Sequence, residues 1–211
     1  TPGGEEVLYS ACLSGMDQTL FAVTLKGRKR IALEGPGGVT LQDVSREGRW
    51  LLTRDELSEG LMALVDGVEK DFSWLDATCN GVASQDWKWL VFCEWSRTMG
   101  SNYAIGMRNT DGSPVVRLGE GGNPSLSRDG RWVLARVPGP PTKLMIYPTG
   151  AGQARQLEMG NLTGYSPGQW FRDGSRVLFD ASEAGGVSRC YTQAVHGGPP
   201  QAVTPEGCRE P

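Results

Sequence analysis

Apolar residues in this chain come in short runs separated by small, polar, glycine-rich breaks, and one such passage recurs along its whole length. Its fullest form is Ser127-Arg128-Asp129-Gly130-Arg131-Trp132-Val133-Leu134-Ala135, a polar turn running straight into an apolar strand. Before it stand Ser45-Arg46-Glu47-Gly48-Arg49-Trp50-Leu51-Leu52 and the degenerate Ser84-Gln85-Asp86-Trp87-Lys88-Trp89-Leu90-Val91. After it comes Phe171-Arg172-Asp173-Gly174-Ser175-Arg176-Val177-Leu178, and a clipped copy, Thr1-Pro2-Gly3-Gly4-Glu5-Glu6-Val7-Leu8, opens the chain. The last turn residue falls at positions 4, 48, 87, 130 and 174, so the spacings are 44, 39, 43 and 44. A period of about 40 to 45 residues, filled with short strands, marks the blade of a β-propeller.

Each column of the repeat has a physical reason. Glycine after an acidic residue supplies the positive φ of a tight hairpin, and a carboxylate such as Asp86, Asp129 or Asp173 can accept backbone N–H bonds that hold the turn. Glu47-Gly48, Asp129-Gly130 and Asp173-Gly174 are therefore assigned to turn structure, not to chemistry. Where Trp87 replaces glycine, a different turn type or a bulge is expected. The aliphatic pair that follows (Val7-Leu8, Leu51-Leu52, Leu90-Val91, Val133-Leu134, Val177-Leu178) points to both faces of its strand, so burial on both sides is expected.

Further strands fall at 19–25 and 30–33, 60–65 and around 72–75, 103–108 and 115–118, 143–147 and 154–157, and 188–195 and 201–203. Each unit thus reads as inner strand, turn, second strand, loop, third strand, turn, fourth strand. The expected fold is all-β: a β-propeller of about five four-stranded antiparallel blades of ~42 residues. All of 1–211 is expected to be one domain, with units at 1–38, 39–77, 78–120, 121–164 and 165–207. Because no inner strand precedes the first copy and the next is due beyond Pro211, the expectation is an excerpt of a propeller with six or more blades, five with one three-stranded blade being the alternative.

Composition narrows the function classes. Thirty Gly and 13 Pro fall between β-rich runs, and a net charge of −3 argues against nucleic acid as a partner. No apolar run approaches the roughly 18 residues of a membrane span, and the start lacks a basic-then-apolar leader pattern. The cysteines Cys12, Cys79, Cys93, Cys190 and Cys208 form no C-x-x-C pair, so no metal site or cofactor is expected. Five thiols leave at least one without an intrachain partner, and Cys93 reads as a small buried hydrophobe.

The repeats resemble the TolB-like β-propellers, relatives of the WD-type repeats, whose blades carry Ser-Pro-Asp-Gly-Lys/Arg before an aliphatic strand. Matching stretches are 45–52, 84–91, 127–134, 172–178 and, more faintly, 1–8, with Arg or Gln where the family has Pro. The resemblance is greatest to the C-terminal propeller of bacterial transmembrane Ser/Thr kinases, on the runs 43–54 and 110–121. It implies a non-catalytic module that binds a protein or peptide, as the sensor or scaffold of a larger signalling protein, in an extracytoplasmic setting. The alternative it implies is the gating propeller of a prolyl-oligopeptidase-type serine peptidase.

Candidate chemistry is sparse. Gly164-Tyr165-Ser166-Pro167-Gly168 has the form G-x-S-x-G and is followed by Asp180 and His196, the only histidine. A nucleophile elbow needs a strand before and a helix after, whereas this segment leads into another hairpin in repeat register, so no catalytic residue is assigned. Lys26, Arg28, Lys29 and Arg30 read as solvated edge charge. The column Trp50, Trp89 and Trp132 reads as packing between blades. Loops 14–18, 97–102, 138–141 and 183–186 share one face, and that face, the opposite one or the channel mouth is where a partner is expected.

Overall fold

The computed structural model describes residues 1–12, 18–35, 37–56 and 58–208, and most of loop 14–18 lies outside them. Among the described residues all regular structure is β apart from one 3-10 turn at Arg97–Met99. The chain divides into two compact units, Thr1–Ser58 and Glu59–Pro211.

In the first unit, β1 (Glu6–Cys12), β2 (Gln18–Thr24) and β3 (Lys29–Leu33) form a three-stranded antiparallel sheet. β2 is its buried strand, with Leu20 and Ala22 fully enclosed. β4 (Gly38–Val44) and β5 (Trp50–Asp55) pair with each other alone, and the backbone N–H of Leu41 on β4 donates to Ser10 Oγ on β1 at 2.9 Å. β5 is exposed at five of its six positions, Leu51 to 63%. The two-sided burial expected of the motif strand is therefore not found here, nor at Val7, which is 52% exposed.

The second unit opens on the hairpin β6 (Met62–Val65) and β7 (Val68–Asp71). Asp66 and Gly67 both have positive φ (52° and 76°), so Val65 pairs with Val68 directly across a two-residue turn. The returning strand therefore comes at 68–71, and the expectation of a strand at 72–75 is corrected. β4 with β5, and β6 with β7, each form a two-stranded sheet.

Regular sheets follow. β8 (Thr78–Ala83), β9 (Trp89–Glu94), β10 (Ala104–Asn109) and β11 (Val116–Gly119) form one four-stranded sheet. β12 (Gly122–Leu126), β13 (Trp132–Val137), β14 (Lys143–Pro148) and β15 (Arg155–Gln156) form the next. In the last, the inner strand is broken into β16 (Leu162–Thr163) and β17 (Gln169–Trp170), both pairing with β18 (Arg176–Glu183), which continues to β19 (Arg189–Ala194) and β20 (Gln201–Ala202). Apart from β16, which reaches past β17 to β18, each strand of these three sheets pairs with a chain neighbour, the meander that a repeat of turn and strand dictates.

Here the aliphatic pair is buried between sheets. Val91, Ile105, Val133 and Tyr147 share one apolar cluster, while Leu134, Ile146, Val177 and Phe179 belong to another. Val133 and Leu134 thus point to different clusters, as adjacent strand residues must. Glu94 closes β9 with its carboxylate fully buried and fully bonded: it accepts from the backbone N–H of Leu75, Ala77 and Ser96 and from the Thr78 hydroxyl at 2.6 Å.

Two inner strands bulge at matching places. Asn80 and Asn123 adopt positive φ (50° and 49°) where the registers of β8 with β9 and of β12 with β13 shift, and Asn80 Nδ2 donates to Asn123 Oδ1 at 2.7 Å. Next to the first bulge, Cys79 stands opposite Cys93 with Cα atoms 5.3 Å apart, and the two form a disulfide. Reading Cys93 as an unbonded hydrophobe is thereby corrected: strand pairing brings together thiols 14 residues apart in sequence.

Candidate functional site

The repeated turns are built from one set of bonds, and the differences between copies follow from single residues. In the fourth copy the Ser127 hydroxyl donates to Asp129 Oδ1 at 2.6 Å and accepts from the Trp132 N–H at 3.0 Å, while the Gly130 N–H donates to the Ser127 carbonyl. The third copy reproduces this with Ser84, Asp86 and Trp89, and Trp87 takes the glycine position at φ 56° with its N–H on the Ser84 carbonyl. The different turn expected at Trp87 is corrected: the same turn forms, in a backbone region that costs an L-residue about 1–2 kcal/mol.

In the fifth copy Phe171 stands in the serine column. Its backbone closes the turn with Gly174 and Arg176, and the Arg176 guanidinium lies over its ring at 4.4 Å. In the second copy the Ser45 N–H meets the carbonyl of Arg49, one residue earlier than in the others, and the Ser45 hydroxyl accepts from the N–H groups of Glu47 and Arg49. Hydroxyl bonding from Ser127 first, and then the Arg131 N–H, holds the Asp129 carboxyl below its ordinary value. Asp86 is lowered by Ser84 first, and Asp173 by the Ser175 N–H first. These aspartates are occupied within their own turns.

The turns of the third, fourth and fifth copies converge. The ends of β8, β12 and β17, with the turn residues that follow, enclose an open cleft of about 350 Å³ lined by residues 83–85, 125–128 and 169–172. Its floor includes Leu126 and the half-buried Trp170, whose Nε1 donates to the Ser125 carbonyl at 2.9 Å and so locks the fifth inner strand to the fourth. Its rim carries Gln85, Arg128, Gln169 and Arg172, all exposed. Neither Arg128 nor Arg172 forms an ion pair or a side-chain hydrogen bond among the described residues. No acidic side chain lines the cleft.

The other candidates lie elsewhere. Ser166 Oγ donates to the Pro167 carbonyl and accepts from the Asp180 N–H, the Asp180 carboxylate accepts from Ser188, and His196 Nδ1 faces Arg155 Nη1 at 3.4 Å. Among the described residues no hydrogen bond links the Ser166 hydroxyl to the His196 ring or the His196 ring to the Asp180 carboxylate. Arg30 is bound by both carboxylate oxygens of Glu6, at 3.1 and 2.6 Å. Trp132 packs against the core with Arg155 over its ring at 4.9 Å, but Trp50 and Trp89 are about two-fifths exposed (38% and 41%), so the tryptophan column is not uniformly packing. Among the described residues no group of three or more His, Cys, Asp or Glu could hold a metal ion, and no helix is long and apolar enough to cross a membrane.

The sequence points to loops 14–18, 97–102, 138–141 and 183–186, with the opposite face and the channel mouth beside them, and none of the described residues of these loops lines the cleft. The column Arg46, Gln85, Arg128 and Arg172 enters there only as a tolerable replacement of proline; a cation repeated at one column is a signal independent of the turn itself.

No protein-family model matches the chain, and no curated protein matches it. Among solved structures it is similar to TolB from Acinetobacter baumannii (TM-score 0.54, 17% identity), covering 97% of this chain and 53% of that one. It is similar also to a puromycin-hydrolysing peptidase from Mycobacterium tuberculosis (0.52, 15%; 96% and 39%). Prolyl endopeptidases give the same result (0.52, 13%; 96% and 35%). At these identities the likeness is one of fold alone, that of a β-propeller. The chain spans about half the length of that TolB and well under half of the peptidases.

Proposed function

We propose that this chain is a non-catalytic propeller module, about five blades over units 1–38, 39–77, 78–120, 121–164 and 165–207 of one domain, that binds a protein or peptide as the sensor or scaffold of a larger signalling protein. The observation that carries the reading is the cleft: apolar floor, polar rim, and side chains with no partner of their own, set at the ends of three consecutive inner strands. By contrast, the hydroxyl and carboxylate of Ser166 and Asp180 are engaged with backbone and with Ser188. The turn residues Glu47, Gly48, Asp86, Asp129, Gly130, Asp173 and Gly174 serve the scaffold in this reading. An extracytoplasmic location fits the Cys79–Cys93 disulfide, since such bonds persist in oxidising compartments.

The second reading, a gating propeller of a serine peptidase, is favoured by the fold likeness to the peptidases. Affinity capture with the tagged chain, followed by mass spectrometry, tests the first: a saturable partner is expected, and recovery of nothing beyond the untagged control counts against it. The parent gene separates the two. A kinase domain and membrane span upstream supports the sensor; a hydrolase domain downstream supports the gate.

A further inference from the structure

The cleft in the second unit selects the charge of its occupant. Arg128 and Arg172 occupy the same column of consecutive motif copies, directly before Asp129 and Asp173. Those carboxylates could neutralise them and do not: Asp129 is taken by the Ser127 hydroxyl and the Arg131 N–H, and Asp173 by the Ser175 N–H. Two guanidiniums, each with five donors and no acceptor, are thereby left open on the rim. Between and beside them, Gln85 and Gln169 have amides with no intramolecular hydrogen bond among the described residues, a pair suited to the backbone of an extended chain. Beneath lie Leu126 and Trp170, which offer apolar contact but no charge.

Resting on the reading of the chain as a peptide-binding module, we propose that this cleft binds an extended acidic peptide segment. Carboxylates engage Arg128 and Arg172, and an apolar side chain rests on Leu126 and Trp170. Charge complementarity commits the choice: a basic or neutral peptide leaves two guanidiniums unpaired, whereas aspartate or glutamate meets them in fork geometry. The chain as a whole carries a net charge of −3, so the attraction is local to the rim and confined to short range by salt.

The test uses a fluorescein-labelled heptapeptide of alternating Glu and Leu, its Lys/Leu counterpart, and the whole chain, read by fluorescence anisotropy at 50 and 300 mM salt. The Glu/Leu peptide is expected to bind and the Lys/Leu peptide not to. Affinity is expected to fall about tenfold in the Arg128→Ala/Arg172→Ala double variant and severalfold at the higher salt. Arg131→Ala removes a neighbouring exposed arginine outside the cleft and is expected to leave binding unchanged. Equal affinity of the double variant and the wild type, or preference for the Lys/Leu peptide, overturns the proposal. If an affinity-captured partner binds the double variant undiminished, the cleft assignment falls while the binding-module reading stands. If neither peptide nor partner binds, both fall.

Discussion

The second and fourth motif copies carry nearly the same strand, Trp50-Leu51-Leu52-Thr53-Arg54 and Trp132-Val133-Leu134-Ala135-Arg136, yet their surroundings differ completely. Val133 and Leu134 are 0% and 1% exposed; Leu51 is 63% exposed. β13 is paired on both edges and covered by an apolar cluster on each face, whereas β5 is paired on one edge only. Local sequence therefore makes the strand, and the sheets around it make the core. The repeat is a statement about the first and only a prior about the second.

The sharpest way to break that contrast is to remove what ties β9 to the segment before it. Glu94 satisfies three backbone N–H groups and a hydroxyl in a buried site, so Glu94→Ala leaves several buried donors without an acceptor. A loss of about 4 kcal/mol is expected, measured as the urea midpoint of the cooperative transition of the β8–β11 region. A change below 1 kcal/mol there would show that water replaces the carboxylate and that the site is less enclosed than its burial indicates.

Next in size is the direct comparison of copies. Leu134→Ala is expected to cost about 3 kcal/mol, since a fully buried leucine loses both transfer energy and packing, while Leu51→Ala is expected within about 0.5 kcal/mol. Equal costs would mean that Leu51 is buried in solution. Amide hydrogen exchange is expected to follow the same order, with β13 and β18 slower than β5.

How far all this was legible depended on the range of the interaction. β10 and β14 start within a residue of their predicted positions, because alternation and turn residues are local. The Asp66-Gly67 turn was legible, but the returning strand was placed around 72–75, whereas pairing resumes at Val68, directly after a turn of only two residues. The Cys79–Cys93 bond requires the register of β8 against β9, and that register includes a bulge at Asn80. The cleft is further out of reach: its lining comes from three segments some 40 residues apart, so only the arginine column, not the enclosure, could be read in advance.

A smaller effect probes the turn that the degenerate copy shares with its neighbours. Trp87 holds the positive φ that glycine holds elsewhere, and the residue is 57% exposed, so little packing is lost with its side chain. Trp87→Gly is expected to stabilise the chain by about 0.5–1 kcal/mol, the relief of left-handed strain exceeding the added freedom of the unfolded chain. Destabilisation by a similar amount would show that the indole makes contacts in solution that outweigh the strain.

The smallest effect concerns acid. The Asp129 carboxyl is held below its ordinary value near 3.8, chiefly by the Ser127 hydroxyl, and a group whose folded value is depressed contributes stability that is present above its unfolded value. That contribution is lost as pH falls through the folded value, so the window lies below about pH 4. Asp129→Asn keeps an oxygen acceptor for the turn but no longer titrates. The variant is expected to be slightly less stable at neutral pH and to show a shallower decline below pH 4 than the parent chain. If Asp129→Asn leaves the acid limb unchanged, the aspartate turns contribute register and not charge.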